Sequence, residues 1–165
     1  MRASKRFPTA VHALLFVAVL SPKKRVTSSL AAESAGSNPV IIRNIFLDLS
    51  RCGLIAAAPG KNGGVVLAKD AKEITLWDIY EAVEPNDAEE IFSIHDDDAS
   101  ETPIGKNFYR ILYPHMEEAV SAMKASMEQV TLDTLKAELT ALIDSGEAED
   151  VSAEIPWLDL QMRST

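Results

Sequence analysis

Residues 27–53 read TSSLAAESAGSNPVIIRNIFLDLSRCG, a sequence with the signals of two short helices and the turn between them. Thr27 and Ser28 are good N-caps for a short helix through about residue 34, and Gly36 is expected to break it. Asn38 and Pro39 predict the start of the next helix, with Asn38 as its cap and Pro39 at the first helical position, where the missing N–H leaves no helical hydrogen bond unmade. Two helices joined by a short glycine-containing connection are typical of a helix-turn-helix.

The second helix of this pair is amphipathic and is expected to end at Gly53. Its apolar stripe consists of Ile42, Ile45, Phe46 and Leu49. Arg43 lies off the stripe and is the best candidate for reading a base, because a guanidinium can fork to the O6 and N7 atoms of guanine. A phosphate contact by Arg43, or an arginine that is only solvated, is the alternative. A longer apolar helix is predicted over residues 4–20, so that three helices precede Gly53.

A glycine-rich hairpin is predicted directly after the third helix. Two short apolar strands, residues 54–58 and 65–67, flank the segment PGKNGG, and its Asn62-Gly63 pair is a strong hairpin signal. A helix-turn-helix followed by such a hairpin is a winged helix, so the predicted fold is mainly α with a small β part. Lys61 and Asn62 would lie at the wing tip, where they could reach a phosphate or the minor groove.

The rest of the chain predicts a helix capped by Thr75, an acidic loop over residues 84–107, a long helix, and a last helix from Thr131 to about residue 144. Apolar residues recur along the long helix at spacings of three or four, with Pro114 as a kink, and we expect this stripe to form a homodimer. The stripe consists of Phe108, Leu112, Met116, Ala119, Met123, Met127 and Val130. The predicted regions are therefore a winged-helix domain (1–84), an acidic loop or effector region (85–107), dimerisation helices (108–144) and an acidic tail (145–165).

Charge is divided unevenly along the chain. The formal net charge is −9, but residues 1–69 hold ten basic and two acidic residues, and the remainder is strongly acidic. This division predicts a basic module for a polyanionic partner and an acidic module that keeps the protein soluble. Two solvated faces without a partner are the alternative reading of the charges.

Several functions are disfavoured by the residues present. The single cysteine, Cys52, excludes an intrachain disulfide framework and a cluster held by three or four thiolates of one chain. We expect Cys52 to be a small buried residue packed against the wing, with a redox switch as the alternative. The histidines and the acidic run at residues 96–98 lack the spacing of a metal site, and no catalytic motif occurs, so we expect no metal site, no catalytic residue and no enzyme activity.

Residues 1–20 resemble a signal peptide, with basic residues ahead of an apolar stretch. However, His12 interrupts that stretch, and Lys23, Lys24 and Arg25 follow where a cleavage site needs small neutral residues. The stretch is also too short to span a bilayer. We therefore expect a cytoplasmic protein without a membrane partner. An exported helical protein with residues 1–20 as its signal stays open as an alternative.

Taken together, the motifs resemble those of the IscR/NsrR/CymR-like winged-helix regulators, the Rrf-two superfamily. The matching motifs are closely spaced over residues 1–84, and a weaker resemblance continues in the same order to about residue 142. The matching stretches are Arg6-Phe7, Ala10-Val11-His12, Thr27-Ser28-Ser29-Leu30-Ala31, Asn38-Pro39-Val40-Ile41-Ile42-Arg43, Gly53-Leu54-Ile55, Gly60, Gly63-Gly64, Leu67-Ala68, Ile74-Thr75-Leu76-Trp77-Asp78-Ile79-Tyr80 and Ala82-Val83-Glu84.

The resemblance implies a dimeric transcription factor that places its third helix in the major groove of double-stranded DNA and its wing in the minor groove. With the residue patterns above, it gives these expected DNA contacts: Thr27, Ser28, Ser29, Asn38, Pro39, Val40, Arg43, Lys61 and Asn62. Iron–sulfur members of the family carry three cysteines before the long helix, whereas residues 100–107 here read SETPIGKN. We therefore expect a cluster-free member without a cofactor.

The leading functional hypothesis is a sequence-specific, homodimeric transcriptional repressor that binds a pseudo-palindromic operator. A winged-helix adaptor whose main partner is another protein is the alternative from a different functional class. An unidentified small-molecule or protein effector is expected between the wing domain and the long helix, near Trp77, Phe108 and Tyr109.

Overall fold

The computed structural model describes residues 4–20, 25–58, 63–84, 91–92 and 102–146. Over these residues the fold is mainly helical with one small antiparallel sheet, as predicted. Its elements, in chain order, are α1 (Arg6–Leu20), α2 (Ser28–Ser34), α3 (Pro39–Arg51), β1 (Ile55–Ala58), β2 (Gly64–Leu67), a 3-10 turn (Ala71–Glu73), α4 (Leu76–Val83), α5 (Pro103–Met127) and α6 (Leu132–Asp144).

The helix-turn-helix is formed by α2 and α3, and both predicted caps are present. The Thr27 side chain accepts a hydrogen bond from the Leu30 N–H at 3.2 Å. The Asn38 side chain accepts one from the Val40 N–H at 2.8 Å. Each cap satisfies a backbone donor that the first turn of a helix leaves unpaired, and so fixes where the helix begins.

The hydrophobic core lies between α1, α3 and the elements that follow them. Seven residues of α1 are buried, and the predicted stripe of α3 is buried with them. Because α1 supplies so much of this core, the apolar run of residues 6–20 is explained by packing inside the fold. Among the described residues, no helix is long and apolar enough to cross a membrane.

The wing is a two-stranded ribbon that is also tied to the segment before α2. The register of β1 and β2 runs from Ile55 opposite Leu67 to Ala58 opposite Gly64. Val26 extends this pairing, since its N–H donates to the Val65 carbonyl at 3.1 Å and its carbonyl accepts from the Val65 N–H at 2.8 Å. The predicted wing tip, residues 61–62, lies outside the described residues.

The long helix differs from the prediction at both ends. It begins at Pro103, so the last part of the predicted loop (84–107) is helical. The reason is local, because Thr102 accepts a hydrogen bond from the Gly105 N–H at 3.1 Å and Pro103 occupies the first turn. The helix ends at Met127, so Val130 is not part of its stripe. The Val130 carbonyl instead accepts a hydrogen bond from the Leu76 N–H at 2.9 Å.

The start of α6 is built into the winged-helix core. Leu132 is fully buried with the core residues, and its N–H donates to the Ile74 carbonyl at 2.8 Å. Thr75 and Thr131 form an isolated β-bridge beside it. The predicted dimerisation region is therefore anchored to the winged-helix domain by backbone hydrogen bonds and by one apolar side chain.

Candidate nucleic-acid interface

The exposed face of α3 is the most prominent feature of the helix-turn-helix. Opposite the buried stripe, Val40 and Leu47 are 55% and 52% exposed, and Asn44 is exposed between them. Spacings of four and three residues place these three side chains on one side of the helix. The helix therefore presents a narrow line of mostly apolar side chains to solvent, with one carboxamide in its middle.

Arg43 lies on the flank of this line, beside an open groove of about 610 Å³ between α3, the start of α2 and the wing. The groove is lined by apolar side chains, Leu47 among them, together with Arg43, Thr27, Ser28 and Ser50. The structure thus brings three of the predicted contact residues to one surface. Ser29 is exposed on the first turn of α2, near this surface in the chain.

The remaining predicted contacts of α3 lie at its start. Asn38, Pro39 and Val40 are all exposed there. Thr27 and Asn38 both act as helix caps, but each retains a hydrogen-bonding group that capping does not use, namely the threonine hydroxyl proton and the asparagine NH₂. Capping and contact with an external partner are therefore compatible in both residues.

Charge on the far half of α3 is arranged around Asp48. This carboxylate forms ion pairs with Arg6 of α1 and with Arg51, whose Nη1 lies 3.0 Å from Asp48 Oδ1. The group of three carries one net positive charge, and Arg51 is largely exposed. Asp48 is the only carboxylate on α3, so this helix presents no unpaired negative charge to a polyanion.

Cys52 is exposed, and the prediction that it is buried against the wing was wrong. It is the C-cap residue of α3, where the helix ends and the chain turns through Gly53. A side chain at this position leaves the helix end toward solvent instead of continuing the buried stripe. Cys52 therefore belongs to the turn that ends α3 and does not occupy a packed position in the core.

The chain has too few cysteines to hold an iron–sulfur cluster by three thiolates. Within the described parts, no group of three or more His, Cys, Asp or Glu side chains could hold a metal ion. The whole chain has one cysteine, and the first turns of α5 contain none. An iron–sulfur cluster held by three cysteine thiolates of one chain does not fit these residues.

Trp77 lies in a contact between α4 and α5, where an effector site was expected. Its ring stacks on Tyr80 at a centroid distance of 5.3 Å, and the Lys124 Nζ lies 5.4 Å from its centroid. Burial raises the pKa of the Tyr80 hydroxyl, and the nearby Glu84 carboxylate adds to this effect. The side chain of α5 that lies over the Trp77 ring is that of Lys124. Tyr109, one of the two aromatic residues of α5 that were expected near Trp77, stacks on Tyr113 of the same helix.

Comparison with known proteins identifies the same fold and the same class of function. A family model described as Rrf2, iron-dependent transcriptional regulator, matches residues 3–138. YwnA of Bacillus subtilis, named as an HTH-type transcriptional regulator, is 27% identical over 129 residues, which are 78% of this chain and 92% of YwnA.

Solved structures give the same result. A transcriptional regulator from Lactobacillus plantarum is 29% identical, with a TM-score of 0.70 and coverage of 87% of this chain and 98% of that chain. CymR, described as the global cysteine regulator of B. subtilis, shares the fold at 18% identity, with a TM-score of 0.60 and coverage of 84% and 98%.

Proposed function

Because the chain belongs to the Rrf2 family of DNA-binding transcriptional regulators, we propose that it acts as a homodimeric repressor that binds a pseudo-palindromic operator. The family resemblance predicted from the sequence is confirmed, and the family consists of regulators, not enzymes. The observation that carries the proposal is the exposed face of α3 beside the groove that Arg43, Thr27 and Ser28 line.

In the proposed complex, α3 lies lengthwise in the major groove, with its exposed side toward the bases. Arg43 forks to a guanine, while the hydroxyl groups of Thr27, Ser28 and Ser29 donate to phosphates. Asn38, Pro39 and Val40 approach the DNA at the start of α3. Lys61 and Asn62 of the wing hairpin contact the backbone or the minor groove. Occupation of promoter DNA by the dimer would block polymerase and so repress transcription.

The long helix supports the homodimer. None of the described side chains of α5 is buried, although many are apolar. Ile104, Phe108 and Ile111 are 78%, 55% and 65% exposed, and their spacing of four and three residues places them on one side. Such a contiguous apolar surface is unfavourable in water. A second copy of α5 would cover it and would relate two α3 helices by a two-fold axis, as a pseudo-palindromic operator requires.

Further side chains of the apolar stripe predicted from the sequence extend the same proposed interface from Phe108 toward the end of α5. They are Leu112, Met116, Ala119, Met123 and Met127.

We further propose that regulation does not use an iron–sulfur cluster, since the chain lacks the thiolates for one. Protein purified without oxygen should be colourless and free of stoichiometric iron. Iron at one cluster per subunit would refute this part of the proposal.

The alternatives are weakened by specific features. The carboxylate of α3 is neutralised by two arginines, an arrangement that suits a polyanionic partner but that a protein-binding adaptor does not require. Cleavage of residues 1–20 as an export signal would remove the seven buried residues of α1 from the core. We therefore propose that α1 is retained in the functional protein.

Selection of bound duplexes from a random library, together with genome-wide immunoprecipitation, tests the function. The selected site should contain two related half-sites about one helical turn apart. Arg43→Ala should weaken binding by about 1–3 kcal/mol and relax the preference at one base pair per half-site. Lys61→Ala should weaken binding to all sequences alike and reduce the slope of log K against log salt by about one. Failure to enrich any duplex would refute the function.

A further inference from the structure

We infer that Asn44, flanked by Val40 and Leu47, reads a run of three adjacent A·T base pairs in each half-site. This inference rests on the DNA binding proposed above and assigns part of its sequence preference. The inference concerns the line formed by Val40, Asn44 and Leu47, which points away from the core. Arg43 lies on the flank of α3, and its proposed contact with a guanine is a separate contact.

The buried side of α3 determines where this line of exposed side chains lies. The buried residues Ile42, Ile45 and Leu49 fix the side of α3 that faces the core. Val40, Asn44 and Leu47 lie on the opposite side and are exposed. When a helix enters the major groove with its buried side toward the protein, the side chains opposite that stripe are the ones closest to the base edges.

The chemistry of Asn44 matches adenine. Its carboxamide can accept a hydrogen bond from the N6 amino group and donate one to N7 at the same time, and no single guanine or cytosine edge offers that pair. Among the described residues, no hydrogen bond occupies the Asn44 side chain. The carboxamide can therefore bind a base without first losing a partner among the residues that the structure describes.

Val40 and Leu47 match thymine. Neither side chain can form a hydrogen bond, so each would leave the polar edge of a G·C pair desolvated and unpaired. The C5-methyl group of thymine is the apolar feature of the major groove, and burial of a methyl group against an aliphatic side chain is favourable. These two positions therefore favour A·T pairs by contact with methyl groups and by exclusion of the alternatives.

The distance from Val40 to Leu47 along α3 determines how many A·T base pairs this line of side chains can contact. Val40 and Leu47 are seven residues apart, which corresponds to about 10 Å along the helix at about 1.5 Å per residue. Base pairs are spaced by about 3.4 Å, so the line extends over about three pairs. Asn44 lies between the other two residues and is expected to contact the middle pair.

A carboxylate on α3 could favour cytosine by accepting from its N4 amino group. Asp48 is the only one on this helix, and it is held by Arg6 and Arg51. Cytosine reading by this helix is therefore disfavoured, which leaves adenine and thymine as the bases that the line recognises.

The test replaces single atoms in the DNA. A duplex selected by the wild-type protein is prepared with 7-deazaadenine in place of one adenine per half-site, or with uracil in place of one thymine. We expect 7-deazaadenine at the middle pair to weaken wild-type binding about fivefold, because one of two hydrogen bonds is lost. Uracil should weaken it about threefold, because one methyl contact is lost.

The variants assign each effect to a side chain. Asn44→Ala should bind the unmodified duplex about tenfold more weakly and should no longer respond to 7-deazaadenine. Val40→Ala or Leu47→Ala should no longer respond to uracil at one thymine. Gln129→Ala removes an exposed amide from the connection between α5 and α6 and should respond as the wild type does. Thermal melting of each variant checks that the fold is retained.

The results of these binding experiments distinguish failure of the base-reading inference from failure of the proposed DNA-binding function. If the wild type selects a duplex but prefers G·C pairs at these positions, or if Asn44→Ala still responds to 7-deazaadenine, the inference is wrong and the function stands. If the wild type binds no duplex above background, both are wrong. Loss of the 7-deazaadenine response in Asn44→Ala alone supports the inference.

Discussion

Replacement of Leu132 by alanine tests whether α6 is anchored in the winged-helix core. Leu132 is fully buried, whereas no other residue of α6 is. A Leu→Ala change at a fully buried site typically costs about 2–5 kcal/mol, through lost burial and through the cavity that remains. The backbone hydrogen bond from Leu132 to Ile74 survives the change. We therefore expect a loss near the middle of that range, about 3 kcal/mol.

Urea denaturation followed by circular dichroism, without DNA, measures this loss. Leu47→Ala is the matched control, because it removes the same atoms from an exposed position of α3 and should change stability by no more than about 0.5 kcal/mol. The wild type should unfold in one transition, since Leu132 joins α6 to the same core as α1 and α3. Equal effects of the two substitutions, or a separate transition for α6, would refute the anchoring.

Three further predictions concern the dimer, the response to pH and the wing. Phe108→Glu combined with Ile111→Glu should convert a dimer into a monomer in sedimentation experiments, and a wild-type chain that already sediments as a monomer would contradict the proposed interface. Partial desolvation lowers the pKa of His12, an exposed residue, below its ordinary value of 6.5. The unfolded chain therefore binds this proton more readily, and a small part of the stability is lost as the pH falls below 6.5. The melting temperature of His12→Gln should therefore fall less between pH 7 and pH 5 than that of the wild type, and parallel curves would exclude this role. Gly64→Ala would place a Cβ atom 2.9 Å from the Val26 carbonyl oxygen, so it should disturb the wing pairing and destabilise the protein by about 1–3 kcal/mol, as thermal melting can measure.

Truncation is a poor test of the dimer for a reason that only the structure reveals. Removal of everything after the winged-helix region would delete the α5 surface, but it would also delete Leu132 from the core and the hydrogen bond between Leu76 and Val130. Loss of DNA binding would then follow from destabilisation as readily as from loss of the dimer. Point substitutions on the exposed face of α5 avoid this ambiguity.

Local sequence signals were enough to predict the elements whose ends depend on neighbouring residues. The caps formed by Thr27 and Asn38 were predictable because their hydrogen bonds join residues two or three positions apart. The buried stripe of α3 was predictable because helical periodicity relates residues three or four apart. The Thr102-Pro103 start of α5 carries the same kind of signal, which the acidic composition of the preceding loop obscured.

Only the tertiary structure decided which exposed surface each remaining residue belongs to. Periodicity showed that Arg43 and Asn44 lie off the buried stripe, but the groove beside the wing places Arg43 on a flank and leaves Asn44 on the outermost line. The burial of Leu132 and the exposure of Cys52 were likewise beyond local pattern. The physical reason is that burial is decided by segments distant in sequence, whereas caps and periodicity are decided within one helical turn.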